Sequence, residues 1–298
     1  MLHSLVTRAC AVLVVFVASS VTHAGSIGLT LGTGPDGFDS RGLDLAFAVG
    51  KLPLNLSAGY YMGSSNGTTS LEQANAGLDW QVSKNVSLQL GASRIDDDVF
   101  IVEGGDLGLG VRLDTLWKGK RLSMLNLGTG RMDYSPDTRL ELPGAQLDRV
   151  PEQNRYGIGL TQGLTDNLTL NLNYDSYDYT EDPKELAIAV ARAFIKRGRY
   201  PPSSAFSLLA FPDNAYNIGL NWDVSEGIGL NFSFGETETV LSQKLRSLSV
   251  GVTHYGEHFD TGINITRSFS TEVTGDRGFT ILPSSDDIYV DFRLSKDF

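Results

Sequence analysis

Cysteine is all but missing from this sequence, and histidine is scarce. The single cysteine, Cys10, and two of the four histidines, His3 and His23, fall within the first 24 residues. That stretch has the three parts of a secretory signal: a short start carrying Arg8, an apolar run from Ala9 to Val17, and a small-residue end near Ala24. With residues 1–24 read as a cleaved leader, the mature chain keeps no thiol, which excludes disulfides and cysteine-bound metals. It keeps only His254 and His258, which flank one tight turn with Glu257 as the nearest acid, too few ligands for a zinc site. No metal and no cofactor is expected. Long apolar runs are missing too. The leader's run is shorter than the roughly 20 residues a spanning helix needs, and no later stretch approaches that length. Basic charge is in deficit, with 24 lysines and arginines against 35 acids. Removing the leader takes Arg8 and no acid, so the imbalance deepens, which argues against a nucleic-acid partner.

What the chain does have is alternation. From Ser26 to Phe298, apolar residues alternate with small or polar ones in segments of about ten residues, the period of a strand with two unlike faces. Ile228, Leu230, Phe232 and Phe234 alternate with Gly229, Asn231, Ser233 and Gly235. Leu168, Leu170, Leu172 and Tyr174 alternate with Thr169, Asn171, Asn173 and Asp175. A soluble sandwich would alternate as well. Here, however, the polar face is consistently Gly, Asn, Ser, Thr and Asp, which suits a wet lumen, while the apolar face ends in Trp and Tyr, as an aromatic girdle would. Counting segments gives about fourteen strands, an even number, as is the rule for these barrels. They fall near 26–33, 41–50, 53–63, 71–83, 85–95, 105–114, 121–133, 155–164, 167–179, 214–224, 227–237, 246–255, 258–269 and 286–298. Links alternate between tight ones, such as 83–85 and 165–167, and long ones at 134–154, 180–213 and 270–285. The tight links read as periplasmic and the long ones as extracellular, which places both termini in the periplasm.

The chain stops on Phe298, with Val290, Phe292 and Leu294 on one face of the last segment. Here the sequence resembles the C-terminal signal of bacterial outer-membrane barrels, in which a final aromatic and alternating apolar residues are read by the barrel-assembly machinery. Lys296 departs from the apolar preference at its position. In size and layout the chain is similar to the monomeric fourteen-stranded porins. The resemblance implies an all-β fold, a transmembrane antiparallel barrel of residues 25–298 in the bacterial outer membrane. Its partners would be membrane lipid, lipopolysaccharide and the barrel-assembly machinery.

The period changes once. Asp182, Pro183, Lys184 and Glu185 read as a helix cap, a first-turn proline and a capping-box glutamate. Leu186, Val190, Ala193 and Phe194 supply an apolar stripe, and Gly198 with Pro201 and Pro202 ends it. An amphipathic helix must bury its stripe, so the insert over 181–212 is expected to fold over or into the barrel mouth. Lys196, Arg197 and Arg199 cluster at its end, where cations suit the helix dipole, can meet lipopolysaccharide phosphates or can narrow the mouth.

Alternation puts Asp44, Asp79, Asp106, Asp114, Asp175, Asp223, Asp260 and Asp291 on the lumen face, against Arg112, Arg155 and Arg293. A surplus of one sign in a wet pore biases ion passage. The reading that follows is a channel for small hydrophilic solutes, cation-biased and constricted by the 180–213 loop. Two rivals stand beside it: a plugged structural or surface-interaction barrel, and an outer-membrane enzyme using loop carboxylates. A histidine base near the outer loops is missing, so catalysis is not expected. Paired outer acids such as Asp96 to Asp98, or Asp286 with Asp287, could hold calcium, but acidic turns are commoner than sites.

Overall fold

The computed structural model describes residues 25–298 apart from 50–51, 66–67, 97–99, 116–119, 137–150, 190–210 and 276–279. The leader at 1–24 and the basic cluster Lys196, Arg197 and Arg199 lie outside the described residues. In chain order the strands are β1 (Gly25–Thr33), β2 (Asp39–Ala48), β3 (Leu54–Ser65), β4 (Thr68–Ser83), β5 (Val86–Asp96), β6 (Phe100–Arg112), β7 (Ser123–Pro136) and β8 (Gln153–Gly163). They continue with β9 (Leu168–Tyr179), β10 (Pro212–Ser225), β11 (Ile228–Thr239), β12 (Lys244–His254), β13 (Asp260–Ser270), β14 (Val273–Thr274), β15 (Thr280–Leu282) and β16 (Ser285–Asp297).

Fourteen of these, β1 to β13 and β16, form one closed antiparallel barrel in which each strand pairs with its neighbours in sequence. The strand β16 closes the circle. It pairs with β13 on one side and with β1 on the other, in a register running from Ser26 opposite Asp297 to Thr33 opposite Val290. At the seam, Gly25 and Phe298 exchange backbone hydrogen bonds of 2.8 and 2.9 Å. Closure leaves no edge strand, so every strand interior satisfies its backbone groups within the sheet, as hydrocarbon demands. The pair β14 and β15 forms a small hairpin apart from the barrel, between β13 and β16.

Gly25 and Phe298 lie at one end of the barrel, together with the links 49–53, 84–85, 113–122, 164–167, 226–227 and 255–259. The links at the far end include the long ones, 137–152, 180–211 and 271–284. Each of the fourteen barrel strands also carries at least one exposed large hydrophobic side chain, among them Leu31, Leu90, Ile158, Ile265 and Phe292. Leu31 is 60% exposed, whereas Phe100, on the other face of the wall, is 0% exposed. An apolar belt running around the whole circumference is far larger than the patches that soluble monomers expose, and it matches the outward band of a lipid-spanning barrel.

The strand count agrees with the alternation pattern. The largest boundary difference is at β6, which starts at Phe100 rather than near 105. Phe100, Ile101 and Val102 do not alternate because both faces of the wall are apolar there: Ile101 faces outward, while Phe100 and Val102 are buried with Leu186, Ala187 and Phe211.

Candidate functional site

The lumen is built by strand parity. Cross-strand partners share a face, and following the pairs around the barrel from Thr30 through Gly42, Tyr61, Gln73, Ile95 and Val102 traces the inward wall. On that wall the register places Asp44 opposite Gly28 and Gly59, Asp79 opposite Asn55 and Gln89, and Asp106 opposite Gly91 and Gly130. It also places Asp175 opposite Gly157, Asp223 opposite Gly229, Asp260 opposite Ser295, Asp291 opposite Gly32 and Arg293 opposite Thr30. Gln89 Nε2 donates to Asp79 Oδ2 at 3.0 Å, and Arg155 Nε lies 3.7 Å from Asp175 Oδ1. Arg112 also faces inward, opposite Met124.

Asp114 differs from its expected place. The strand β6 ends at Arg112, so Asp114 sits in the following link rather than on the lumen wall. There its carboxylate accepts from Arg112 Nη2 at 2.8 Å and from the Ser123 N–H at 3.2 Å, which ties the 113–122 link together. These two donors hold its carboxyl below the usual carboxylate range, the guanidinium contributing most.

Sequence reasoning also grouped Asp286 and Asp287 as neighbouring loop acids. Both lie on β16, where alternation sends them to opposite faces: Asp287 faces inward opposite Ser268, and Asp286 faces outward, its Oδ2 2.6 Å from Arg267 Nη2. They cannot chelate one ion together. Among the described residues no cluster of three or more His, Cys, Asp or Glu could hold a metal.

Two cavities occupy the lumen. One, of about 640 Å³, is lined by Asp44, Asn75, Asn231, Asn264, Asp291 and Arg293, which come from opposite walls. The second, of about 400 Å³, is lined by Asp175, Asn217, Thr237, Ser247, Ser268 and Tyr289. Tyr61 and Asp291 border both. Both linings mix chemistries: short amides, hydroxyls and carboxylates stand beside Tyr61, Leu71 and Ile95 in the larger cavity and beside Phe38, Leu245 and Tyr289 in the smaller.

The far mouth is different in chemistry. Leu71, Ile95, Phe100, Val102 and Tyr134 all face inward there, and Leu186, Ala187 and Phe211 of the 180–211 link pack against them to make a buried core. The helix expected after Asp182 is present over 184–189. Asp182 Oδ1 accepts from the Lys184 N–H at 3.0 Å, the role its position predicted, and Leu186 is buried, while Val190, Ala193 and Phe194 of the expected stripe lie outside the described residues. At the other end of the link, Phe211 stacks on Tyr134 at 5.2 Å and meets Phe100 and Tyr179 edge-on. Gln153 Nε2 donates to Tyr179 Oη at 2.6 Å, and Tyr179 Oη donates to the Pro212 carbonyl at 2.7 Å. Sequence reasoning missed Phe211 and its partners. The available signal was a break in the polar face, where large apolar residues at 71, 95, 100, 102 and 134 replace the small polar ones.

A third group is charged and faces outward at the far end. Arg94 pairs with Glu103, Arg131 with Glu152, Arg246 with Glu236 and Arg267 with Asp286. Arg246 also lies over the Phe269 ring, 5.9 Å from its centroid. These pairs lie at the far margin of the apolar belt, where Arg267 stands directly between the exposed Leu248 and Ile288.

No family model matches the chain, and no curated protein matches it. Solved structures do. A monoaromatic hydrocarbon channel, CymD, is 12% identical with a TM-score of 0.51, over 93% of this chain and 88% of that one. The Acinetobacter baumannii outer membrane protein Omp33 is 8% identical with a TM-score of 0.50, over 93% of this chain and 98% of that one. A KdgM porin is 7% identical with a TM-score of 0.44, over 92% and 99% of the two chains. At such identities the likeness is one of fold, and that fold is the closed antiparallel barrel found in outer-membrane porins and channels.

Proposed function

We propose that the protein is a bacterial outer-membrane channel for passive diffusion of small hydrophilic solutes, cation-biased, with its mouth narrowed by the 180–213 segment and both termini in the periplasm. The observation that carries this reading is the division of the wall into two chemistries. An apolar belt encircles the outside, while the inside brings Asn, Ser, Thr and Asp side chains, interspersed with aromatic and aliphatic ones, around cavities of about 640 and 400 Å³. A barrel that only anchored itself in lipid would have no use for so much wetted interior. Inward acids outnumber inward bases among the described residues, which supports a preference for cations. Leu186, Ala187 and Phe211 hold the segment against the inner wall, which supports a narrowed mouth. The outward Arg94, Arg131, Arg246 and Arg267 suit contact with lipopolysaccharide phosphates, and the outward Val290, Phe292 and Leu294 with terminal Phe298 suit recognition by the barrel-assembly machinery.

The test is single-channel recording from refolded protein in a planar bilayer under a salt gradient. Residues 183–210 would be intact in one sample and replaced by a short Gly-Ser linker that keeps Phe211 in the other. Steady conductance that rises on replacement, with a reversal potential of cationic sign, is the expected result. A second reading, a closed interaction barrel, is favoured by the buried apolar core at the far mouth. Silence from correctly folded protein in both forms would put it in front.

A further inference from the structure

The inward wall shows a recurring arrangement around its carboxylates. Asp106 lies opposite Gly91, Asp175 opposite Gly157 and Asp291 opposite Gly32, each pair on adjacent strands. In each pair the acid's carboxyl group occupies the space that a side chain on the glycine would fill. A Cβ at Gly91 would overlap Oδ1, Cγ and Oδ2 of Asp106, and one at Gly32 would overlap Oδ1 of Asp291 and, equally, the Ser40 hydroxyl. A Cβ at Gly157 would stand 2.5 Å from Oδ1 of Asp175. Two lumen amides do the same: Asn75 lies over Gly59 and Asn173 over Gly159. Directly opposed residues have their Cβ atoms about 5 Å apart, so an acid facing a full side chain is pushed outward along the sheet normal, toward the axis. Facing a glycine, it can lie flat on the wall. Asp79, opposed by Asn55 and Gln89, has no such seat and is held by the Gln89 amide instead.

We propose that Gly32, Gly91 and Gly157 are positioning residues that hold the Asp291, Asp106 and Asp175 carboxylates against the barrel wall, and so set the width and the ion preference of the lumen. The effect on permeation rests on the channel reading. Asp175 and Asp291 both border the 400 Å³ cavity, so two of the three seats act on one stretch of the path. The groups that a new methyl would meet are the ends of flexible side chains, not backbone. An alanine is therefore accommodated by swinging the carboxylate off the wall, with the strand left in place. The swung carboxylate projects into the water column, where it takes up space and strengthens the local negative potential.

The experiment compares wild type with Gly32→Ala, Gly91→Ala, Gly157→Ala and a control, Gly105→Ala. Gly105 faces outward, and the nearest atom to its added Cβ is a backbone oxygen at 3.5 Å. Two measurements are made on folded protein: single-channel conductance with reversal potential, and the rate of carbodiimide amidation of Asp106, Asp175 and Asp291 read by peptide mass spectrometry. The expected result has three parts in the lumen variants and none in the control. Unit conductance falls, the reversal potential moves further toward the cation value, and amidation accelerates at the acid opposite the substituted glycine alone. Unchanged current and unchanged amidation in a conducting protein would overturn the proposal, as would an equal effect from Gly105→Ala. A wild type that never conducts sinks the channel reading instead. Site-selective amidation then still decides whether the glycines seat their acids.

Discussion

Phe211 shows how one side chain can hold a long link. It is 0% exposed and sits at φ 53°, a left-handed backbone that costs a non-glycine residue about 1–2 kcal/mol. Its ring is enclosed by Phe100, Tyr134 and Tyr179, and its carbonyl accepts from the Val240 N–H at 2.9 Å. Loss of a buried aromatic ring costs about 3–5 kcal/mol, so packing outweighs the backbone strain it tolerates. Phe211→Ala is expected to destabilise the barrel by about that amount. Phe211→Gly loses the same ring but relieves the strain, and should be milder by about 1 kcal/mol. Urea unfolding in lipid vesicles ranks the two, and equal losses would show that the strain is not stored there.

Asp114 makes a pH-dependent contribution at the same scale. Its carboxyl is held below its usual range, chiefly by the Arg112 hydrogen bond, so the folded state binds the proton less readily than the unfolded chain does. The stabilisation is therefore present above the unfolded carboxylate value of about 3.9. It is lost as pH falls through the lower, folded value. Wild type should be more stable than Asp114→Asn near neutrality, and the gap should close in acid. A gap that is the same at every pH in an unfolding series would assign the residue's role to shape rather than charge.

Among the elements, parity makes a sharp prediction on β13. Ile265 is outward and 50% exposed in mid-strand, while its neighbour Asn264 faces the lumen and lines the larger cavity. Arginine at 265 must enter the lipid belt, at a cost of about 2–4 kcal/mol near the midplane. Arginine at 264 stays in water and should leave stability nearly unchanged. Folding titrations of Ile265→Arg and Asn264→Arg in vesicles check this, and equal costs would invert the face assignment. The alternation that supports this prediction was legible along almost every strand because lipid and water impose opposite demands on successive residues. It faltered at the start of β6, where Phe100 and Val102 face a protein core instead of water. Asp286 and Asp287 were grouped as loop acids although the last alternating segment, 286–298, already held both; on β16 successive positions send them to opposite faces.

Across the whole molecule, charge is divided by face and by level. The net charge of −11 says little by itself. Its placement matters more, since Asp44 and Asp79 look inward at different strands of the same wall, while many of the arginines pair with acids on the outside. Neutralising the two lumen acids together, as Asp44→Asn with Asp79→Asn, should weaken the cation preference in a salt gradient and leave the unfolding midpoint close to wild type. A reversal potential that does not move would show that the selective step lies elsewhere along the lumen.

Composition and period were enough to determine the barrel. A two-residue alternation repeated over fourteen segments has one physical solution in lipid, a closed sheet, and the final Phe298 falls at the seam where β16 meets β1. The face of an acid within a strand was legible as well, because parity is a local property, but not where a strand stops, so Asp114 was placed on the lumen wall instead of in the link after β6. The core at the far mouth and the seating of lumen carboxylates over glycines were decided only by tertiary structure. Each depends on which residues of distant segments come to share a level of the barrel, and that is set by strand register and by where Leu186, Ala187 and Phe211 dock on the wall. No single strand encodes either one.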